Sequence, residues 1–328
     1  RGADGRAVDR LRLSGQPFAV QNLPKGGGTM DGILCLDKPE NMTSFACCAV
    51  LRRFMQEKKA GHTGTLDPMA TGVLPVCFGR ATRAIPLLPV QDKRYTATLT
   101  FGCTSDTLDI WGNVTSTGKP VPPLDAIEAA LSAFRGDIRQ VPPMMSALKR
   151  DGVRLYDLAR RGIEVEREAR PVTVHRLELL DYRPDEGTLT LDCACSKGTY
   201  IRVICDDLGR MLGCGAVMSA LRRTEAAGFS LAQCLTLEEA RKLAEEGRLS
   251  DQVLPVEAAF AGHPAIRVTA GQAARFLNGG ALALDRLPTV PSGIVRVQNP
   301  DGDFLGLGEP RGEELAVLRL FGGSGKDG

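Results

Sequence analysis

Residues 61–75 are the segment that most restricts how this chain can fold. Their sequence, GHTGTLDPMATGVLP, places one carboxylate, Asp67, among glycines, threonines and prolines. The glycines permit tight or left-handed backbone, and Pro68 fixes its own φ while favouring an extended conformation at Asp67. A surface Asx-turn is the simpler interpretation of an Asp in a Gly/Pro-rich segment, but such a turn needs far fewer restrictions. We therefore predict a rigid loop built around a single carboxylate.

Several motifs of the sequence resemble those of one known family. The 61–75 loop resembles the catalytic motif of the TruB family of tRNA pseudouridine synthases, and the resemblance continues through residues 77–83. Other segments similar to motifs of this family lie at residues 36–39 with 43–44, 93–95, 142–149, and 197–202 with 206–209. Together the matches span roughly residues 30–225. The resemblance implies a tRNA pseudouridine synthase of the bacterial type.

The chain departs from the family pattern at residue 41. Asn41 stands where the family usually carries glycine. Asparagine is among the residues that best tolerate the left-handed region of backbone conformations. We therefore expect the turn after Pro39 to be kept.

The resemblance implies a catalytic set of Asp67, Tyr95 and Arg202. Asp67 would be the nucleophile that attacks the sugar or the base of a uridine, although burial alone would raise its pKa and disfavour the carboxylate. Arg202 would be its cationic partner, because a guanidinium can pair bidentately with a carboxylate. The Tyr95 ring would stack on the uracil, and its hydroxyl would help to remove the C5 proton. Without the resemblance, Tyr95 is typical of a buried strand and Arg202 of a helix surface.

A base within a folded RNA loop must leave its stack before it can react. The resemblance places His62 in the space that the base leaves, and implies that Lys38 and Pro39 support the active-site loop. The complete set that we predict for RNA binding and base flipping is His62, Lys38, Arg80, Arg83, Lys93, Lys149, Arg150 and Arg154. Basic residues cluster at 52–59, 80–94 and 149–161. Each cluster alone is also typical of a solvated helix face, but three clusters beside one predicted site favour phosphate contacts.

The order of elements predicts an α+β fold with a mixed or antiparallel central sheet and flanking helices, not repeating βαβ units. Hydrophobic periodicity predicts strands at 32–36, 93–101, 172–182 and 188–195, and helices at 44–57, 124–134, 153–161, 200–212, 237–247 and 270–278. Short strands with many glycines and prolines over residues 263–321 predict a second, small β-rich domain.

The same patterns predict the domain organisation. Residues 30–230 would form the pseudouridine synthase catalytic domain with an RNA-binding insertion at about 138–161, and 231–262 a helical connection. Residues 263–321 resemble the PUA-like, RNA-binding C-terminal domain of bacterial TruB proteins, and a β-barrel with another role is the less favoured alternative. Residues 1–29 are predicted to be an appended leader or a disordered segment, and 322–328 a flexible tail.

Composition excludes several classes of protein. No run of 18 apolar residues could cross a membrane. The ten cysteines include no C-x-x-C pair and the three histidines lie far apart, so neither a zinc site nor a disulfide framework is predicted. We predict reduced thiols in a cytoplasmic protein. The expected isomerisation involves no redox change, so we predict no cofactor and no metal.

We predict that the chain isomerises uridine 55 in the TΨC stem-loop of tRNA, as a monomer without an obligatory protein partner. A guide-dependent synthase shares the catalytic motif, but the Lys-rich tail expected of it is absent from this chain. A non-catalytic RNA-binding or tRNA-folding protein is a third hypothesis. A metal-dependent nuclease is disfavoured because no carboxylate pair accompanies Asp67.

Overall fold

The computed structural model describes residues 30–322, together with two short strands at Arg12–Leu13 and Gln16–Pro17. The remainder of the predicted leader, and residues 323–328 of the predicted tail, lie outside the described residues.

The larger part of the molecule is built on a nine-stranded sheet. The strands of this part of the chain, including four short ones outside the main sheet, are β1 Gly32–Lys38, β2 Ala60–His62, β3 Thr71–Phe78, β4 Lys93–Phe101, β5 Cys103–Ser105, β6 Val114–Ser116, β7 Gly136–Gln140, β8 Lys149–Arg150, β9 Val153–Arg154, β10 Arg170–Arg183, β11 Thr188–Cys195, β12 Ala216–Ala226 and β13 Phe229–Ser230. The order in the main sheet is β1-β3-β12-β4-β11-β10-β7, with β2 on β3 and β13 on β12. Within this sheet only β12 and β3 pair in parallel. The mixed sheet that we predicted is therefore confirmed.

Six α-helices lie within the described part of the chain. They are α1 Ser44–Phe54, α2 Leu124–Leu131, α3 Leu155–Ala159, α4 Ile201–Met211, α5 Leu237–Glu245 and α6 Ala270–Leu277. A 3₁₀ segment, Gly79–Leu87, follows β3. Helices α2 and α4 pack on β4, β11 and β12 in one apolar core. Helices α1 and α5 pack on β1 and β3 in another.

Strand β4 has the alternating burial that its sequence predicts. Tyr95, Ala97, Leu99 and Phe101 are buried and their neighbours are half-buried. This alternation places Tyr95 in the same core as the Asp67 loop, because Leu66 and Met69 belong to that core.

Several local predictions need correction. Strands β3 and β12 are absent from the predicted strands, although β12 lies at the centre of the sheet. The sequence predicts Ser44 as the cap of α1, but the cap is Thr43, whose hydroxyl accepts from Ala46 N at 3.0 Å, and Ser44 is the first helical residue. Residues 138–140 belong to β7 and pair with β10, so only the chain beyond Gln140 leaves the sheet. Asn41 has a φ of 62°, as expected for the substituted turn.

The C-terminal part of the chain forms a separate five-stranded sheet. Its strands are β14 Ala265–Arg267, β15 Leu282–Ala283, β16 Val295–Gln298, β17 Phe304–Arg311 and β18 Glu314–Leu320, in the order β14-β16-β17-β18-β15. With α6 it encloses its own apolar core, which confirms the predicted β-rich domain. Phe260, which precedes this sheet, lies 6.2 Å from Phe304 and 5.8 Å from Phe321 between ring centroids.

Gly209 allows α4 to approach β12 closely. A Cβ at this residue would lie 2.1 Å from the backbone nitrogen of Ala216. Alanine normally stabilises a helix interior by about 0.5–1 kcal/mol over glycine, but a clash with backbone outweighs that gain. We expect Gly209→Ala to lower the free energy of unfolding by about 1–3 kcal/mol, as measured by denaturant titration.

Gly271→Ala is the matched control. Gly271 is exposed in α6, and a Cβ there would meet nothing within 4 Å. This variant should be neutral or more stable by up to about 1 kcal/mol. Equal effects of the two substitutions would contradict the packing argument.

Candidate active site

Buried polar contacts fix the loop that carries Asp67. The loop connects β2 to β3, and Leu66 is held by Ser44, whose Oγ accepts from Leu66 N at 2.8 Å and donates to Leu66 O at 3.1 Å. On the other side of Asp67, the Lys38 ammonium donates to Pro68 O at 3.1 Å. The residues on both sides of the carboxylate are therefore anchored to β1 and α1.

Lys38 is fully buried and uses all three of its donors on backbone. Besides Pro68 O, its Nζ donates to Pro39 O and Met42 O, each at 2.7 Å. Burial lowers the pKa of Lys38 to about 8, and the neighbouring Asp67 carboxylate opposes that effect. Of the two roles predicted for Lys38, support of the active-site loop fits this geometry, whereas direct contact with RNA does not.

The Arg202 guanidinium joins Asp67 to two other segments. Its Nε lies 3.1 Å from Asp67 Oδ2, its Nη1 donates to Thr107 O and its Nη2 to Met145 O, both at 2.9 Å. Asp109 Oδ2 lies 3.6 Å from Nη1. The structure thus places Arg202, on the first turn of α4, in contact with Asp67, as predicted. It also adds Asp109 to the site. Sequence reasoning missed Asp109 because its segment has only a Thr/Asp/Gly-rich loop composition.

The environment of Asp67 acts on its pKa in opposite directions. Burial raises the pKa of the carboxyl, the nearby Asp109 raises it further, and Arg202 and Lys38 lower it. The net shift is upward, although 37% of the side chain remains exposed. The carboxylate therefore pairs with Arg202 while part of the side chain stays accessible to solvent.

Tyr95 lies in the core beside a second buried arginine. Burial raises the pKa of Tyr95 to about 12, with Arg223 acting against that shift. Arg223 is fully buried on β12, where its Nε donates to Val73 O at 2.7 Å and its Nη2 to Gly64 O at 3.1 Å. Tyr95 is therefore a neutral phenol at neutral pH. Arg223 was not among the predicted site residues, since β12 itself was not predicted.

His62 ends β2 at the start of the Asp67 loop. It is half-buried, and its Nδ1 is enclosed without a hydrogen-bond partner. Burial, with Arg223 nearby, lowers its pKa. A neutral imidazole is therefore favoured, which suits contact with a base more than pairing with a phosphate.

The basic residues after the Asp67 loop are partly engaged within the protein. Arg80 pairs with Asp31 at 2.5 Å. Lys93 Nζ donates to Gln91 O at 2.9 Å, and burial lowers the pKa of Lys93. Arg83 is half-buried on the 3₁₀ segment. Of these three, Lys93 lies against the Asp67 loop, because a Cβ at Gly64 would be 3.2 Å from its Cε.

Lys149, Arg150 and Arg154 form an exposed basic hairpin. They lie on the antiparallel pair β8 and β9. Arg154 Nη1 donates to the Tyr156 hydroxyl at 2.7 Å. This hairpin follows the Met145 segment that Arg202 holds, so it projects from the segment adjoining the site.

The described residues contain neither a metal-binding cluster nor a membrane-spanning helix. No cluster of three or more His, Cys, Asp or Glu side chains with metal-binding geometry occurs among them. None of their helices is long and apolar enough to cross a membrane.

Three family models match almost all of the described chain. The model of the TruB family pseudouridylate synthase N-terminal domain matches residues 52–201. That of the tRNA pseudouridylate synthase B C-terminal domain matches 202–261, and that of the pseudouridine synthase II TruB C-terminal region matches 264–321.

Curated relatives match over nearly their full lengths. The tRNA pseudouridine synthase B of Pseudomonas aeruginosa (strain UCBPP-PA14) is 45% identical over 298 residues, covering 89% of this chain and 96% of that protein. The tRNA pseudouridine synthase B of Dechloromonas aromatica (strain RCB) is 47% identical over 281 residues, covering 86% and 92%. The chain belongs to the TruB family of tRNA pseudouridine synthases.

Solved structures support the same fold. A chain in a crystal structure of a Cbf5-Nop10-Gar1 complex matches with a TM-score of 0.68 and 26% identity, covering 89% of this chain and 85% of that chain. Family membership and the fold class predicted from sequence are confirmed. The TruB family consists of isomerases that make pseudouridine.

Lys38 offers a test of how the loop is held. Lys38→Met should leave the carbonyls of Pro39, Met42 and Pro68 without their donor, and we expect a loss of roughly 2–4 kcal/mol in the free energy of unfolding. Denaturant titration at neutral pH measures it. Lys149→Met on the exposed hairpin is the control and should change stability by less than about 0.5 kcal/mol. A similar small loss for Lys38→Met would show that the loop does not depend on this ammonium.

Proposed function

We propose that this TruB family member isomerises the uridine at position 55 in the TΨC loop of tRNA, without a guide RNA or a protein partner. The observation that carries the proposal is the Asp67–Arg202 pair at 3.1 Å, in which Asp67 is partly open to solvent and its loop neighbours Leu66 and Met69 share the apolar core of Tyr95. It occurs in a chain that is 45% identical to a tRNA pseudouridine synthase B. We further propose that the protein acts as a cytoplasmic monomer.

In the proposed reaction, the uridine leaves its stack and enters the site with its glycosidic bond near Asp67. The C1′–N1 bond breaks, C1′ joins C5, the C5 proton leaves and N1 gains a proton. The Asp67 carboxylate supplies the electron pair that traps the sugar or adds to the base, and the bond so formed breaks again, by attack of C5 on C1′ or by elimination from the base, so that the carboxylate is regenerated. Both routes require its ionised form. Arg202 maintains that form, because its positive charge lowers the pKa that burial raises.

Tyr95 and His62 have proposed roles that follow from their neutral forms. The Tyr95 ring would pack on the uracil. Its phenol, with a pKa of about 12, would act on the C5 proton only by passing its own proton to another group. His62 would fill the space left by the flipped uridine. The C-terminal sheet is proposed to be a PUA-like RNA-binding domain, and residues 141–161 the arm that grips the tRNA.

A guide-dependent synthase is the second candidate, because the structural similarity to a chain in the Cbf5-Nop10-Gar1 complex favours it. Sequence identity is 26% to that chain but 45% to the tRNA pseudouridine synthase B of Pseudomonas aeruginosa. This difference supports an enzyme that acts without a guide RNA. Activity on a bare tRNA transcript separates the two.

The reaction can be tested on an unmodified tRNA transcript, without a metal or any partner. Pseudouridine would be mapped by carbodiimide-dependent stops in primer extension. We expect one stop, at position 55, which Asp67→Asn abolishes while tRNA binding persists. The matched control is Asp125→Asn on the exposed start of α2, which should retain full activity. Normal turnover by Asp67→Asn would exclude Asp67 as the nucleophile, and absence of any stop with the unmutated protein would exclude stand-alone activity.

The basic hairpin gives a separate prediction about binding. Replacing Lys149, Arg150 and Arg154 with alanine should weaken tRNA binding and reduce the salt dependence by about one unit of log–log slope per lost phosphate contact. The turnover rate at saturating tRNA should change little. Filter binding over a range of salt concentrations measures the slope. Lys242→Ala with Arg248→Ala, at exposed residues within and after α5, is the control. Equal slopes for both variants would remove the hairpin from the RNA interface.

A further inference from the structure

The loop between β5 and β6 presents two apolar side chains to solvent. Ile110 is 41% exposed, and Trp111, the only tryptophan of the chain, is 49% exposed. Isolated apolar side chains are common on protein surfaces, so exposure alone does not indicate a contact. The rigidity of this loop and the short series of contacts that connects it to Asp67 do indicate one.

Side-chain hydrogen bonds make the loop rigid. The Asp106 carboxylate accepts from the backbone and side-chain nitrogens of Asn113, each at 2.8 Å. Gly112 is enclosed, since a Cβ there would lie 2.2 Å from Thr107 Oγ1. Leu108 has a φ of 66°, a strained conformation for a bulky residue. The loop keeps this fixed shape at the cost of backbone strain, as is typical of functional sites.

The same hydrogen bonds tie Trp111 to the active site. Asp109 Oδ1 accepts from Thr107 Oγ1 at 2.7 Å and from Trp111 N at 3.1 Å. Asp109 Oδ2 lies 3.6 Å from Arg202 Nη1, and Arg202 Nε lies 3.1 Å from Asp67. Two side chains therefore separate the Trp111 backbone from the Asp67 carboxylate.

Strand β12 anchors the loop through backbone hydrogen bonds. Met218 N donates to Leu108 O, and Ile110 N donates to Met218 O, both at 3.1 Å. The backbone on both sides of Asp109 is therefore fixed to the central sheet. The loop that bears Trp111 is thus already ordered before a ligand binds.

We propose that Trp111 stacks on an unpaired base of the RNA next to the uridine bound at Asp67. The inference rests on the proposed function. Flipping a uridine breaks its stacking with the neighbouring bases, and an indole presents a flat π face that stacks on any base. Because the loop is already ordered, the contact costs little conformational entropy. Ile110 adds apolar area at the edge of the same surface.

The charge of the surrounding segments favours RNA over a protein surface as the occupant. The guanidinium that holds Thr107 also holds Met145, whose segment leads into the basic hairpin of Lys149, Arg150 and Arg154. The Trp111 loop and the segment that leads into the hairpin therefore meet at the guanidinium that contacts Asp67.

A direct test uses tryptophan fluorescence excited at a wavelength where tyrosine does not absorb, because Trp111 is the only tryptophan of the chain. The Asp67→Asn variant is titrated with an unmodified TΨC stem-loop, and binding is followed independently by anisotropy of the labelled RNA. We expect Trp111 emission to be quenched and protected from acrylamide on binding. The titration is repeated with a series of stem-loops, each of which has an abasic site at a different loop position. We expect the quenching to be relieved by an abasic site at one of these positions.

Variants measure the contribution of the contact. Trp111→Ala should raise the Kd roughly 5- to 100-fold, and Trp111→Phe, which keeps a ring, should raise it less. Leu180→Ala, at an exposed apolar residue of β10, is the control and should leave Kd unchanged. Thermal unfolding of each variant verifies that the fold is retained.

The outcomes separate this inference from the proposed function. RNA binding with unchanged Trp111 emission, with quenching that no abasic site relieves, or with an unchanged Kd for Trp111→Ala would overturn the stacking contact and leave the proposed function standing. Absence of RNA binding by the unsubstituted protein would remove both.

Discussion

The guanidinium of Arg202 is the interaction on which the candidate site depends. It is almost completely buried and contacts three segments that are distant in sequence: the Asp67 loop, the β5–β6 loop through Thr107, and the chain after β7 through Met145. A buried cation without partners would be costly, so these contacts are needed for the fold as well as for the chemistry. One side chain thereby sets the ionisation of the proposed nucleophile and the positions of two segments proposed to contact RNA.

The sheet supplies the rigidity that this arrangement requires. Strand β12 lies between β3 and β4, and its Arg223 donates to backbone at both ends of the Asp67 loop region, to Gly64 O and Val73 O. Lys38 acts in the same way from β1. Two buried cations therefore hold the loop by its carbonyls, which leaves the Asp67 carboxylate free to pair with Arg202 and with a substrate.

Short-range patterns predicted those parts of the molecule whose signal is local. The alternation of β4, the hairpin of β10 and β11 and the helix α4 follow from periodicity, and the Asp67–Arg202 pair followed from the family resemblance. Strand β12 was missed because its first three residues are all buried and its sequence, AVMSALRRTEA, does not alternate cleanly, with the charged Arg223 at a fully buried position. Arg223 and Asp109 could not be predicted, since their roles depend on contacts with residues more than 90 positions away in the chain.

Burial raises the pKa of Asp67, and Arg202 limits that rise. The most direct test is the pKa of this carboxyl, measured by carbon-13 NMR of protein labelled at aspartate, with the resonance assigned by its loss in Asp67→Asn. We expect a value above the ordinary aspartate pKa of about 3.9, a further increase in Arg202→Gln, and loss of activity as the pH falls through the measured value. A pKa at or below the ordinary value, or one that Arg202→Gln leaves unchanged, would contradict the account.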